Sequence, residues 1–271
     1  MAWTDTGLSA VLQVPVAGGA AITLQSGIGG LQGVGVARGY VGFASFTSTK
    51  MDIWQDLESH VGSTNIWALD NGSLSVQPAF ALSGQGEWWC AIDSMYSRCC
   101  PFLNSGSCSS VTGSTSVTTS RMAVNSTHFY WTDKAGGKVE QVPWTASTVG
   151  SLTHLETARV SPDLVAADNS YVYWVEGANI ERVSVGGGAP TQLPWGGYTW
   201  TSLASDGSTM YFSGTSGGTG YVYGASPNGS AGTITTFSAV AATNPTGLVY
   251  AGGALYWFDS ATNKIYGVVF P

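Results

Sequence analysis

The sequence carries little charge. Asp, Glu, Lys and Arg make up 9% of it, against about 25% in an average soluble protein. Only nine residues are Lys or Arg, and they are scattered through a chain of net charge −7. With no basic run to neutralise phosphates, neither nucleic acid nor an anionic membrane surface is expected as a partner. No apolar stretch approaches the ~20 residues that span a bilayer, so membrane insertion is not expected. The first ten residues lack the basic segment and apolar run of a secretory signal. There are three histidines and no HExxH or P-loop pattern. A glycine cluster at 27–33 is followed by strand-like sequence rather than the helix of a dinucleotide site. No metal and no cofactor are expected.

Cysteines are few and crowded. Cys90, Cys99, Cys100 and Cys108 are the only four, and their spacing does not match the paired CxxC pattern of a zinc site. Disulfides fit better and imply an oxidising compartment, so the expected location is secreted, periplasmic or cell-surface. A bond between neighbours Cys99 and Cys100 would close a strained eight-membered ring. Each is therefore expected to bond outward, to Cys90 or Cys108.

What the chain has in quantity is Gly (37 residues), Ser and Thr, with eleven Trp. That composition disfavours long helices and suits short strands joined by tight turns. Four segments align as repeats: Met122–Trp144, Leu164–Val185, Leu203–Ala225 and Leu248–Phe270. Each reads as an apolar strand, a polar turn, an aromatic-rich strand, a second turn and an alternating third strand. A large ring recurs in the second strand, at Trp3, Phe43, Trp89, Trp131, Trp174, Phe212 and Trp257. The intervals run from 38 to 46 residues, a period of about 42 that marks a repeat architecture. Sheets radiating from an axis leave wedges between them, and such rings fill a wedge, so these seven are expected in the core.

The expected fold is therefore an all-β propeller of four-stranded antiparallel blades, in one domain over residues 1–271. Seven slots indicate seven blades. Six is the alternative, if Ala21–Ser26 completes the last copy as its outer strand. The segments FYWTD, YVYWVE and LYWFD resemble YWTD and NHL-like repeats of bacterial secreted propellers, with an architecture similar to virginiamycin B lyase-like proteins. That resemblance implies fold and compartment, because scaffold residues carry it. Asp133 and Asp259 occupy the Asp of the YWTD-like pattern, and Asp168 and Asp206 begin Asx-type turns; all four are expected to stabilise turns.

Two connections between second and third strands look long. Residues 46–65 read as an insertion containing a short helix, because Met51, Ile53, Trp54 and Leu57 fall at helical spacing. Residues 91–107 form a second insertion among the cysteines, and both are expected over one face. Trp54, His60, Tyr96, Arg98 and Phe102 are the candidate binding residues on that face. No catalytic residue is identified. The expected function is a recognition module that binds a glycan or an extracellular protein, itself a monomer. The alternative is a propeller lyase or hydrolase resembling virginiamycin B lyase, with its site at the mouth of the central channel.

Overall fold

The computed structural model describes residues 2–5, 7–14, 20–37, 40–46, 50–57, 64–70, 79–82, 88–92, 97–101, 109–111, 121–226, 235–236, 243–251 and 253–270. Seven antiparallel sheets are formed among these residues, five of four strands and two of three. The first holds β1 (Ala2–Asp5), β2 (Ala10–Gln13) and β3 (Ile22–Ser26). The second holds β4 (Leu31–Ala37), β5 (Tyr40–Phe46), β6 (Lys50–Leu57) and β7 (Thr64–Asp70). The third runs β8 (Ala79–Leu82), β9 (Trp88–Ile92), β10 (Ser97–Pro101) and β11 (Ser109–Ser110). The fourth runs β12 (Met122–Val124), β13 (His128–Asp133), β14 (Lys138–Pro143) and β15 (Thr153–Glu156). The fifth runs β16 (Pro162–Ala167), β17 (Tyr171–Glu176), β18 (Asn179–Ser184) and β19 (Thr191–Gln192). The sixth runs β20 (Thr199–Ser205), β21 (Met210–Ser216), β22 (Thr219–Ala225) and β23 (Thr235–Thr236). The last holds β24 (Pro245–Ala251), β25 (Ala254–Asp259) and β26 (Lys264–Val269).

Strands pair in chain order within every sheet. The chain divides into two compact units, Met1–Trp131 with Glu140–Thr153, and Thr132–Val139 with His154–Pro271. The segment that would complete the last copy in a six-blade ring is instead β3, which pairs with β2.

The aromatic slot is core. Phe43, Trp89, Trp131, Trp174 and Phe212 are fully buried, Trp257 nearly so, and Trp3 is half-buried. Around Trp131 pack Trp88, Cys90, Cys99 and Trp144. Cys90 and Cys99 face each other across the β9–β10 ladder and are disulfide-bonded. Cys100 is also disulfide-bonded, whereas Cys108 lies outside the described residues. The outward pairing of the two adjacent cysteines is thus observed for Cys99.

Two polar devices recur with the slot. The first joins the turn after the first strand to the second strand. Asp168 accepts the Ser170 and Tyr171 backbone N–H groups (2.7 and 2.8 Å) and the Tyr173 hydroxyl (3.0 Å). Asp206 does the same with Ser208, Thr209 and the Tyr211 hydroxyl. Asn125 serves Thr127 and His128, with its amide donating to the Tyr130 hydroxyl. In each case an Asx side chain organises the turn and meets a Tyr five residues on. The last copy has Ala251 at this position, and the buried Tyr256 hydroxyl finds no partner among the described residues.

The second device is an acid two residues past the slot. Glu176 accepts the Val160 N–H and Asp259 accepts the Thr243 N–H, each 16 residues upstream, both at 2.8 Å. The acid thereby pins the chain as it enters its own sheet. Asp133 is nearly fully buried and accepts the Gly136 N–H at 2.8 Å. A Cβ on Gly136 would sit 2.0 Å from the Asp133 carboxylate, so only glycine closes this turn. These acids are structural, as their turn positions suggest.

Both expected insertions fail. Residues 91–92 end β9 and 97–101 are its antiparallel neighbour β10, so the span 91–107 is not one long connection. Residues 50–57 are not helical and do not belong to a long insertion; they are the third strand, β6, paired to β5 and β7. Met51, Ile53 and Leu57 satisfy the two-residue period of a strand as well as they satisfy a helix. A flanking strand on either side supplies backbone partners, and that decides between the periods.

Candidate functional site

Two of the five expected site residues fall among the described residues. Trp54 stands in mid-strand on β6, directly opposite Phe43. Arg98 is on β10, between Ala91 and Ser110. His60, Tyr96 and Phe102 lie outside the described residues. Of the other histidines, His128 is half-buried and its Nδ1 meets the Thr127 hydroxyl at 2.8 Å. Burial lowers its pKa. His154 is exposed on β15. Among the described residues no three His, Cys, Asp or Glu side chains cluster as a metal would require.

Charged groups near the entries to the first strands are engaged with one another. Arg159 pairs with Glu176 (2.7 Å) and reaches Glu181 (3.9 Å), with its guanidinium 5.5 Å from the Trp174 ring centroid. Burial raises the Glu181 carboxyl above its ordinary range. Burial works the same way on Glu176, but the Val160 N–H, Arg159 and Trp174 overcome it and the net shift is downward. Lys134 bridges Asp163 at 2.7 Å, both well exposed. The Thr201 hydroxyl contacts the Pro245 carbonyl and the Ser213 hydroxyl. This arrangement clamps the sheet entries.

A different surface stands out in the sixth sheet. Tyr198, Trp200, Tyr221 and Tyr223 converge where β20 begins and the β21–β22 turn closes. Gly197, at φ +86°, lets the chain turn into β20. Trp200 is buried and its indole N–H donates to the Ala178 carbonyl at 2.9 Å. Gly214 lies between Trp200 and Tyr221 across three strands. A Cβ there would come within 2.8 Å of the Thr199 carbonyl and 3.1 Å of the Trp200 ring. Only glycine leaves space for the indole.

On that base stand two half-buried rings. Tyr198 tilts against Trp200 at 4.9 Å and meets Tyr221 edge-on at 6.0 Å. Tyr221 stacks on Tyr223 at 5.3 Å and 11°. The Tyr223 hydroxyl donates to that of Tyr198 at 3.3 Å. Burial, then this bond, raises the Tyr223 pKa well above that of a free phenol. The result is a rigid, uncharged aromatic platform, suited to stacking and hydrogen bonding.

The repeat does contain a partial signal for this platform. The position two past the slot holds Asp5, Asp133, Glu176 and Asp259 in four copies, but Ser45, Ala91 and Gly214 in the other three. The pinning acid is absent where Trp200 needs room.

No family model and no curated protein matches the sequence. Solved structures do. Virginiamycin B lyase from Staphylococcus aureus is similar over 98% of this chain and 89% of its own, at TM-score 0.72 and 14% identity. A streptogramin B lyase structure is similar over 98% and 88%, at TM-score 0.73 and 14% identity. A nidogen/laminin complex matches over 82% and 87%, at TM-score 0.55 and 15% identity. Such identities speak to fold alone. Together with the sheets and the repeat, they give this chain a β-propeller fold of repeat architecture.

Proposed function

We propose that this propeller is a secreted or periplasmic recognition module that holds an extracellular glycan or protein. The observation that carries this is the Tyr198–Tyr221 platform, two half-buried rings on a buried Trp200–Tyr223 base. Tyr and Trp dominate binding hot spots because they bring large area with little side-chain freedom to lose. The platform is already ordered, which removes part of the cost of binding. The Cys90–Cys99 disulfide supports the compartment. Trp54, His60, Tyr96, Arg98 and Phe102, the candidate residues read from the sequence, belong to the proposal as well.

Glycan-array and pull-down assays on wild type, Tyr198→Ala, Tyr221→Ala, Trp54→Ala and Arg98→Ala test it. The platform variants are expected to lose at least about tenfold in affinity, the loss of one hot-spot contact, with melting little changed. Binding that survives both platform variants rejects the platform. The second reading, a lyase, draws on the likeness to virginiamycin B lyase along nearly the whole chain. Consumption of virginiamycin B, followed by mass spectrometry and unaffected by Tyr198→Ala, would replace recognition with catalysis.

A further inference from the structure

We propose a second ligand site in this chain, an open cleft that takes a short uncharged saccharide. It lies where the β16–β17 turn meets the β20–β21 turn, at the other end of these sheets from the Tyr198 platform. Its volume is about 680 Å³, within the range of small-molecule sites. The walls are Asn169, Ser170, Tyr171, Ser184, Val185 and the Gly207–Ser208 turn. None of these side chains is charged.

The cleft is built on the repeat's own turn device. Asp168 spends its carboxylate on Ser170 N–H, Tyr171 N–H, the Tyr173 hydroxyl and, from the neighbouring sheet, the Ser205 hydroxyl (2.8 Å). Asp206 spends its own on Ser208 N–H and hydroxyl, Thr209 N–H and the Tyr211 hydroxyl. Both carboxylates are thus engaged within their own turns, and both turns are fixed. Tyr171 is fixed too, with the Arg182 guanidinium 4.4 Å from its ring centroid and the Tyr173 ring at 6.1 Å. The Ser170 and Tyr171 hydroxyls enter no hydrogen bond among the described residues.

The lining selects the ligand class. The lining side chains offer no charge to an anion or a cation, and an apolar molecule would cover hydroxyls without satisfying them. A saccharide matches both features, with C–H faces for the Tyr171 ring and hydroxyls for the Ser170, Tyr171 and Ser184 oxygens. The site lies apart from the platform and does not depend on it.

Titration calorimetry and saturation-transfer NMR on the full chain, with cellotriose, maltotriose, chitotriose and trigalacturonate, test the inference. At least one neutral trisaccharide should bind, and trigalacturonate at least tenfold more weakly. Tyr171→Ala should weaken binding at least tenfold. Ser184→Tyr, which fills the cleft from an exposed strand end, should abolish it, with Val185→Tyr as the filling variant if Ser184→Tyr melts early. Tyr198→Ala should leave this binding intact, which separates it from the platform. The inference is overturned if no neutral trisaccharide binds, if binding survives the filling variants, or if trigalacturonate binds as tightly.

Discussion

Replacing Asp168 tests the idea that side-chain acceptors at the first turn hold neighbouring sheets in place. Asp168 is 8% exposed and accepts four hydrogen bonds, at 2.7, 2.8, 3.0 and 2.8 Å. A hydrogen bond to a charged group contributes about 1.5–3 kcal/mol. The two turn N–H groups regain water when the carboxylate goes, so the loss falls on the Tyr173 and Ser205 hydroxyls. Asp168→Ala should therefore cost about 3 kcal/mol by that scale, or roughly 6–12 °C in melting temperature. Asp168→Asn is the informative partner. Asn125 already serves the equivalent turn, with its oxygen accepting two N–H groups and its amide donating to Tyr130. Asparagine at 168 can do likewise and forfeits chiefly the Ser205 bond, a loss of about 1 kcal/mol. Thermal melts by near-UV circular dichroism read all three proteins. An alanine cost below about 1 kcal/mol, or an asparagine as damaging as alanine, would refute the reasoning.

The last copy offers the reverse experiment: Ala251→Asp should give Tyr256 a partner and raise stability by about 1 kcal/mol, and a fall in melting temperature would show that its turn differs in kind. Trp174→Ala should cost roughly 3–5 kcal/mol, the loss for a buried ring, and a denaturant melt showing less than about 1 kcal/mol would remove Trp174 from the core. Burial tends to raise the Asp259 carboxyl, but the N–H groups of Thr243, Ala261, Thr262 and Asn244 prevail and hold it below its ordinary value. Its contribution is then present above about pH 4, the unfolded carboxylate value, and lost as pH falls through the lower folded value. The wild type should lead Asp259→Asn in stability near neutrality and converge with it in acid; a constant gap from pH 6 to 2 would contradict this. Ellman titration of the unfolded, unreduced chain should find no thiol, and four reactive thiols would sink the extracellular assignment.

Scaffold was legible because its causes are local and repeated. A ring every 42 residues or so, an Asx before three of the second strands and an acid after four of the slots all follow from what one sheet needs of itself and its neighbour. Disulfide use was legible from the crowded cysteines, but the choice of Cys90 over Cys108 for Cys99 needed the β9–β10 register. The helix expected from Met51, Ile53, Trp54 and Leu57 was not there because so short a stretch cannot separate a period of 3.6 from one of 2, and only the strands at 40–46 and 64–70 decide it. Both candidate sites escaped the sequence for a related reason. Tyr198 lies in a connection and Tyr171 at the start of an ordinary repeat strand; their exposure depends on what the next sheet brings beside them. A pattern read along the chain does not contain that neighbour.

Departures from the repeat carry the remaining information, and they come in two kinds. At Gly214 the missing acid is compensated: the Trp200 indole occupies the space and binds the Ala178 carbonyl, and two tyrosines build outward from it. At Ala251 the missing Asx is not compensated, and Tyr256 keeps a buried hydroxyl without a partner among the described residues. An unmade bond of that sort costs about 1–3 kcal/mol. The repeat tolerates the second departure because the ring still fills its place against Gly267, whose Cβ would come within 2.7 Å of it. A compensated break means that several residues have changed together toward a new arrangement, whereas an uncompensated one is a single substitution the scaffold survives. Function is therefore better sought at Gly214 than at Ala251, and the aromatic platform stands there.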